Sequence, residues 1–223
     1  MAYLMTHSLL ASWLRTMKTD PFADATTEDT SKEEFLRVLA RVPTPTNEAM
    51  QKGIEFESLI TNICGIQIPV QTTLTGAPID PESMMPENVR KHQWFQPAFT
   101  FAQIVRGGQL QHVATKRVQV HGMDLLLYGR LDVLKAGRIY DIKFSGTYDR
   151  GKYFDSTQHP MYLELVPSAE SFTYLISNGT ETWTEQYRRD ETPSIYPIIS
   201  DFLGWLEQNG LMKQYTEFWG EKK

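Results

Sequence analysis

The segment that decides the fold is residues 128–144, which read YGRLDVLKAGRIYDIKF. Two extended runs separated by the turn pair Ala136 and Gly137 predict two antiparallel strands of one sheet. The short turn brings Asp132 and Asp141 onto neighbouring strands, in positions that fit a cross-strand pair. Two carboxylates placed in this way repel each other unless a cation or a proton lies between them.

The second run also contains an Asp-x-Lys pattern, formed by Asp141, Ile142 and Lys143. Side chains two apart in a strand share a face, so Asp141 and Lys143 should point one way and Ile142 the other. Carboxylate oxygens in a small open site suit Mg²⁺ or Mn²⁺, and a lysine beside them can orient a water molecule or contact a phosphate oxygen. A surface sheet with ordinary salt pairs explains the same three residues, because patterns this short are common by chance.

The chain before this sheet is predicted to be helical. Apolar spacing predicts one helix over residues 6–17 and another over residues 88–106. Between them, Ser31 is expected to open a helix with Glu34 in a capping box, and Asn47 to cap the next one.

In the rest of the chain, alternating patterns predict five strands and helical spacing predicts two further helices. The predicted strands cover residues 111–121, 123–134, 138–145, 171–177 and 181–189, and the helices cover 155–166 and 194–209. The order indicates an α+β or mixed α/β fold, in which helices flank one central, mostly antiparallel or mixed sheet. We expect a single domain over residues 1–223, with an N-terminal helical region at 1–106 and a core at 107–223.

Composition narrows the class of protein. Among 223 residues there is one cysteine, Cys64, which excludes an internal disulfide and a four-cysteine cluster within a single chain. No run of about 18 apolar residues occurs, so we expect no transmembrane helix. Residues 1–18 lack the pattern of a signal peptide. A reducing, cytoplasmic setting fits these features.

Charge is unevenly distributed along the chain. The net charge is −5, which argues against a general polyanion-binding protein. Residues 106–152 contain nine Lys and Arg against four Asp, a local charge of +5 that suits a site for an anion. A solvated sheet face explains the same bias, so charge alone leaves both interpretations open.

Four short motifs follow one another along the chain. They are Gly53-x-x-x-Glu57, Gly129-x-x-Asp132, Asp141-x-Lys143 and Gln158-x-x-x-Tyr162. In this order they resemble the motifs of the PD-(D/E)xK nuclease superfamily, and in particular its RecB-like and phage lambda-type exonuclease branch. The helix at residues 8–13, with residues 20–22, also resembles the opening of many RecB-like chains. The resemblance covers residues 6–165 and implies a restriction-endonuclease-like core.

The resemblance implies a metal site and a set of catalytic residues. Glu57, Asp132 and Asp141 would bind Mg²⁺, with Mn²⁺ as a substitute, and the main-chain carbonyl of Ile142 would add a ligand. The position of Glu57 is His in many members of the branch. The cysteines that hold an iron–sulfur cluster in some members are missing here, which implies a form without a cluster.

The same resemblance assigns roles to three other side chains. Lys143 would hold the attacking water or the charge of the transition state. Gln158 and Tyr162 would line the site and contact the DNA strand. No helicase motif is present, so any unwinding would need a partner.

The expected function is that of a metal-dependent DNA nuclease, and more specifically an exonuclease in phage or bacterial recombination or repair. DNA is the expected partner, and a recombinase, a single-strand-binding protein or a helicase would be its protein partner. Two alternatives stay open, a non-catalytic nucleic-acid-binding protein on the same fold and a phage structural or interaction protein. We expect no membrane partner, and the sequence leaves the oligomeric state open.

Two aromatic segments have two interpretations each. The first segment consists of Tyr148, Arg150, Lys152 and Tyr153. These residues either contact a nucleic-acid strand or form an exposed loop. The second is either a partner-binding surface or part of the core, and consists of Trp205, Tyr215, Phe218 and Trp219.

Overall fold

The computed structural model describes residues 1–17, 25–67 and 80–221. Its strands are β1 (Tyr3–Thr6), β2 (Gln109–Val120), β3 (Met123–Lys135), β4 (Arg138–Phe144), β5 (Ser171–Ser177) and β6 (Thr182–Arg188). Its helices are α1 (His7–Met17), α2 (Ala25–Leu39), α3 (Glu48–Gly65), α4 (Glu87–Arg90), α5 (Phe95–Val105), α6 (Gln158–Leu165), α7 (Tyr196–Gln208) and α8 (Met212–Trp219). The predicted fold class, helices around a mixed sheet, is confirmed.

The sheet is built on the predicted antiparallel meander of β2, β3 and β4. β2 pairs with β3 between Met123 and Leu134, and β3 pairs with β4 up to Val133 and Tyr140. β4 then runs parallel to β5, which pairs antiparallel with β6. β1 runs parallel to the first part of β3, so the sheet contains both kinds of pairing.

An opening lies on one edge of β3. β1 pairs with this edge as far as Tyr128, and β4 pairs with it from Val133 onward. β2 occupies the other edge, so residues 129–132 have no neighbour among the described strands on the side of the opening. Main-chain groups left free in a sheet need other partners, and side chains can reach them here.

Two hydrophobic cores cover the two faces of the sheet. Ile139 packs in a core with Met161 of α6 and Phe202 of α7. The adjacent Tyr140 packs in another core with Phe56 of α3. Because neighbouring residues of a strand point to opposite faces, the two cores lie on opposite sides of the sheet. Burial of each large apolar side chain contributes roughly 1.5–3 kcal/mol.

The helix starts show one correct and one wrong prediction. Asn47 caps α3 as predicted, because its Oδ1 accepts a hydrogen bond from the main-chain N of Met50 at 2.8 Å. Ser31 does not open a helix, since α2 already begins at Ala25. Residues 25–30 contain no glycine or proline, so the backbone can extend the helix toward the N-terminus past the expected cap.

The predicted helix over residues 88–106 is two helices, α4 and α5. The break lies between Arg90 and Phe95, ahead of Pro97. Pro97 lies in the first turn of α5, where its missing N–H costs no helical hydrogen bond. The helix expected over residues 155–166 is shorter at both ends, since α6 covers Gln158–Leu165.

The N-terminal region, which is expected to be helical, also contains a strand of the sheet. β1, at Tyr3–Thr6, belongs to the sheet, and Tyr3 also forms a bridge with Gly220 after α8. A strand of four residues is too short to show a period in the sequence. Residues 20–22 lie outside the described part of the chain. In residues 1–17, 25–67 and 80–221 no helix has the length and hydropathy needed to cross a bilayer.

Candidate functional site

Asp141 and Lys143 lie on one face of β4 at the opening. Lys143 Nζ lies 2.7 Å from Asp141 Oδ2, and Gln158 Nε2 donates a hydrogen bond to Asp141 Oδ1 at 2.5 Å. Ile142 and Phe144 pack on the other face, in the core around α3, as the alternation predicts. Asp141 is only 3% exposed, and Lys143 and Gln158 both contact its carboxyl group.

The Lys143 amine is held in its charged form. Burial lowers the pKa of Lys143, but the negative charge of Asp141 outweighs this effect and raises the pKa above its ordinary value. The amine also lies 5.9 Å from the ring centre of Tyr174, a distance at which a cation is attracted to an aromatic face. A permanent positive charge therefore lies at the edge of the opening.

Asp132 is next to Asp141 but does not form the cross-strand pair that the turn predicts. The ladder stops at Val133 and Tyr140, and Asp132 Oδ2 instead accepts a hydrogen bond from the main-chain N of Ile142 at 2.8 Å. The carboxylate thus replaces a main-chain acceptor where the strands separate. Burial, followed by the charges of Asp141 and Glu57, raises the pKa of Asp132 to about 8.

Glu57 reaches the same site from α3. Gln111 of β2 donates a hydrogen bond from Nε2 to Glu57 Oε1. Burial raises the pKa of the Glu57 carboxyl, the charge of Arg130 lowers it, and the charge of Asp141 raises it. Three carboxylates from α3, β3 and β4 therefore share one electrostatic environment with Lys143. No pattern in the sequence identified Gln111.

Tyr162 of α6 lies beside the opening. Its hydroxyl donates a hydrogen bond to the main-chain carbonyl of Arg130 at 3.0 Å, which gives this free strand group a partner. The helix approaches β3 so closely that a Cβ on Gly129 would lie 2.6 Å from Tyr162 Cε1 and 2.7 Å from Leu165 Cδ1. The glycine of the second motif is therefore needed for close packing of helix on strand.

His7 is a residue of the site that sequence reasoning missed. It is the first residue of α1, and its ring meets Tyr162 edge to face with 5.3 Å between ring centres. Burial, and then the charge of Lys143, lowers the pKa of His7 to about 4, so the imidazole is neutral at pH 7. It lines a cleft of about 320 Å³ with Arg130 and Ser8. Its position before the recognised helix at residues 8–13 was the only available signal.

A buried carboxylate, Glu185, holds the loop that follows Lys143. Tyr148 donates a hydrogen bond from its hydroxyl to Glu185 Oε2 at 2.7 Å, and the main-chain N of Tyr153 donates to Oε1 at 3.1 Å. Tyr187 donates a hydrogen bond from its hydroxyl to Oε1 as well, and His159 stacks on the Tyr187 ring at 3.8 Å. The hydroxyl of Tyr148 and the main-chain N of Tyr153 thus donate their hydrogen bonds to Glu185, and not to a bound ligand.

The basic residues of this loop are exposed. Arg150 and Lys152 are exposed, and Lys152 Nζ donates to Ser145 Oγ at 2.7 Å and to the Thr147 carbonyl at 2.8 Å. Phe154 is the most exposed aromatic side chain of the loop, at 73%. Phe154 was not among the residues predicted to contact a nucleic-acid strand.

The site matches a divalent cation in charge and in ligand type, but not in the arrangement of its carboxylates. Asp141 Oδ2 is buried and contacts Lys143 as an ion pair, but the contact lacks hydrogen-bond geometry and this oxygen accepts no hydrogen bond. In the described ranges, no group of three or more His, Cys, Asp or Glu side chains is arranged so that it could hold a metal ion. The ligand type, oxygen only, suits Mg²⁺.

Cavity size by itself does not find this site. Two larger cavities, of about 720 Å³ and about 640 Å³, lie elsewhere. The first is lined by Lys52 and Trp94, and the second by Arg138 and Arg188. None of the six side chains expected to be catalytic lines either cavity.

The fold and site define a mixed α+β protein with an acidic cluster and one lysine at a gap in the sheet. No protein-family model and no curated protein matches the chain. It is similar to the solved structure titled "Crystal structure of SSO0001", with a TM-score of 0.49, 15% identity and coverage of 91% of this chain and 76% of that one. It is also similar to Rai1 of Scheffersomyces stipitis, with a TM-score of 0.31, 11% identity and coverage of 93% and 61%. At these identities neither likeness bears on what this chain binds or does.

Proposed function

We propose that the protein is a Mg²⁺-dependent DNA nuclease that hydrolyses phosphodiester bonds. The observation that carries the proposal is the electrostatic interaction of Glu57, Asp132 and Asp141 with one another and with the charged amine of Lys143. Burial, and then the charges of Asp141 and Glu57, raise the pKa of Asp132 to about 8, and a divalent cation would offset the repulsion between the carboxylates. An acidic cluster of this kind lowers stability unless a cation binds, which supports a metal-binding role.

Each residue of the cluster has a defined part in the proposal. Glu57, Asp132 and Asp141 would hold Mg²⁺, together with the main-chain carbonyl of Ile142. Bound Mg²⁺ would lower the pKa of water and offset negative charge on phosphoryl oxygens. Lys143 places a second positive charge beside Asp141, where it can orient the attacking water or meet the charge that develops on the phosphate.

The residues of α6 support this arrangement from the other side. Gln158 holds Asp141 Oδ1, so the other oxygen, Oδ2, faces Lys143. Tyr162 holds the open strand at Arg130 and lines the cleft beside His7. Arg130 is exposed at the same place and offers a positive charge to a phosphate. The order of the four motifs supports an exonuclease of phage or bacterial recombination or repair.

The test is cleavage of end-labelled linear DNA and of closed circular DNA, with Mg²⁺, with Mn²⁺ and with EDTA. We expect degradation of linear DNA only, and none in EDTA. Lys143→Ala should lower the rate by at least about 100-fold, since one preorganised charge contributes this much to a charged transition state. Lys91→Ala, which removes an exposed lysine directly after α4, is the matched control.

Two results would contradict the proposal. Undiminished cleavage by a correctly folded Lys143→Ala variant would remove the lysine from the mechanism. DNA binding without any cleavage in Mg²⁺ or Mn²⁺ would instead support the non-catalytic binding protein.

A further inference from the structure

Gln111 has a backbone conformation that is unusual for its place in the fold. Its φ is +52°, in the left-handed region that residues other than glycine rarely adopt. The other non-glycine residues with positive φ in the described chain are Arg41 after α2, and His121 and Ala136 in the turns next to β3. Gln111 alone among these four lies inside a strand, and strain of this kind concentrates at functional sites.

The strand pairing is interrupted at the same residue. β2 pairs with β3 at Leu110 with Val133 and at His112 with Leu131, and the pair between them is missing. By register, the residue opposite Gln111 is Asp132. The pairing resumes in the same register at His112 and Leu131, so no residue is inserted and the break is confined to this pair.

The interruption changes the face to which β3 presents its side chains. Leu131 packs in the core around α1, α6 and α7, and Val133 packs in the core around α3 and α5. Residues two apart in a regular strand share a face, so the facing changes at Asp132. The same interruption allows Gln111 to donate its hydrogen bond to Glu57.

We infer that Gln111 is a positioning residue, which aims Glu57 and Asp132 at one point through its side chain and its left-handed backbone. The inference rests on the proposed function, because it takes these two carboxylates as metal ligands. Gln111 holds one of them directly and lies opposite the other. Partners that orient metal ligands typically affect metal affinity by about 10- to 100-fold.

Two substitutions separate the backbone from the side chain. Gln111→Gly removes the hydrogen bond and relieves the left-handed strain, so the urea midpoint of the metal-free protein should stay the same or rise. Gln111→Met keeps the approximate length of the side chain and removes its amide, and with it the hydrogen bond to Glu57. We expect both variants to bind Mn²⁺ at least about 10-fold more weakly in a calorimetric titration, with a matching rise in the Mn²⁺ concentration needed for DNA cleavage.

Ala136→Gly is the matched control, since Ala136 has a φ of +47° in the turn between β3 and β4. It should change the urea midpoint without changing Mn²⁺ affinity. A merely structural role for Gln111 predicts a lower urea midpoint and unchanged Mn²⁺ affinity in Gln111→Met, and that result would overturn the inference. Failure of the unaltered protein to bind Mn²⁺ would overturn both this inference and the proposed metal site. Normal cleavage by Lys143→Ala, with weakened Mn²⁺ binding by the Gln111 variants, would contradict only the proposed catalytic role of the lysine.

Discussion

Asp132 is a residue whose ionised form is disfavoured by its surroundings. Burial and two neighbouring carboxylates raise its pKa to about 8, so the folded protein without metal resists its ionisation. When the pKa of a carboxyl is raised in the folded state, the unfolded chain ionises first. The protein therefore loses stability as the pH rises from about 4 to about 8. The residue therefore costs stability at neutral pH in the absence of a cation.

Replacement of Asp132 by Asn should stabilise the metal-free protein. Asn keeps an oxygen for the main-chain N of Ile142 and removes the charge. We expect Asp132→Asn to raise the free energy of unfolding by about 1–2 kcal/mol at pH 8 in EDTA, measured by urea denaturation. The gain should shrink at pH 5, and Asp149→Asn on the exposed loop should show none. A less stable Asp132→Asn variant at pH 8 would contradict this account.

His159 should give the stability of the protein the opposite dependence on pH. Burial lowers its pKa to about 4, although the charge of Glu185 raises it, and its ring stacks on Tyr187. A histidine with a lowered pKa is protonated first in the unfolded chain, so stability is lost as the pH falls from 6.5 toward 4. The loss from this residue is at most about 3 kcal/mol.

The measurement is urea denaturation at pH 7.5 and at pH 5, on the protein and on His159→Phe. Phe can stack on Tyr187 and cannot be protonated, so the difference between the two pH values should be smaller in the variant. His112→Phe on β2 is the control and should leave the difference unchanged. An equal loss of stability in His159→Phe would show that another group titrates.

At the scale of elements, the loop between β4 and α6 is anchored at the site. The ring of Tyr153 stacks on Tyr174 at 4.3 Å, and Glu185 holds Tyr148 and the main chain of Tyr153. Phe154 is exposed on this anchored loop, so its ring is held out toward solvent without the entropy cost of ordering a mobile segment. This arrangement favours Phe154, rather than Tyr148 or Tyr153, as the surface on which a base would stack.

Phe154→Ala should therefore weaken the binding of single-stranded oligo(dT) by roughly 5- to 100-fold, the range that one base–aromatic stack contributes. Fluorescence anisotropy in EDTA measures binding without cleavage. Phe154→Trp should bind like the unaltered protein, and Phe218→Ala, which removes another exposed aromatic from α8, should have no effect. Equal affinity of the Phe154→Ala variant would remove this loop from the binding surface.

At the scale of the whole molecule, the C-terminal aromatic residues join the two ends of the chain. Trp219 is 6% exposed, and its Nε1 donates a hydrogen bond to the carbonyl of Leu39 at 2.8 Å. Tyr215 is fully buried and donates from its hydroxyl to the carbonyl of Leu4 at 3.0 Å. These contacts favour core packing over a partner-binding surface for the buried members of the tail.

Trp219→Ala should lower the free energy of unfolding by about 3 kcal/mol, as expected for loss of a large buried aromatic side chain. The nearby Phe218 is 39% exposed, and Phe218→Ala should cost less than about 1 kcal/mol. Urea denaturation of both variants measures the difference. Near-equal stability of the two variants would contradict core packing of Trp219 and would favour a partner-binding surface.

Local patterns in the sequence were enough to determine the meander of β2, β3 and β4, the cap at Asn47 and the shared face of Asp141 and Lys143. Alternation, turn residues and capping act within a few positions, so they can be read directly from neighbouring letters. The four acidic and basic side chains of the proposed site were predicted because each lies in a short motif of the resemblance. Helix boundaries were less certain, as the early start of α2 shows, because several ends of a helix differ little in free energy.

Only the tertiary structure decided how these elements meet. β1 docks beside β3 from the other end of the chain and leaves the opening that His7 and Tyr162 border. The left-handed backbone at Gln111 and the change of facing at Asp132 break the regular alternation, so no periodic pattern predicts them. Contacts between residues far apart in the chain hold these irregularities in place, and their free energies do not depend on local sequence.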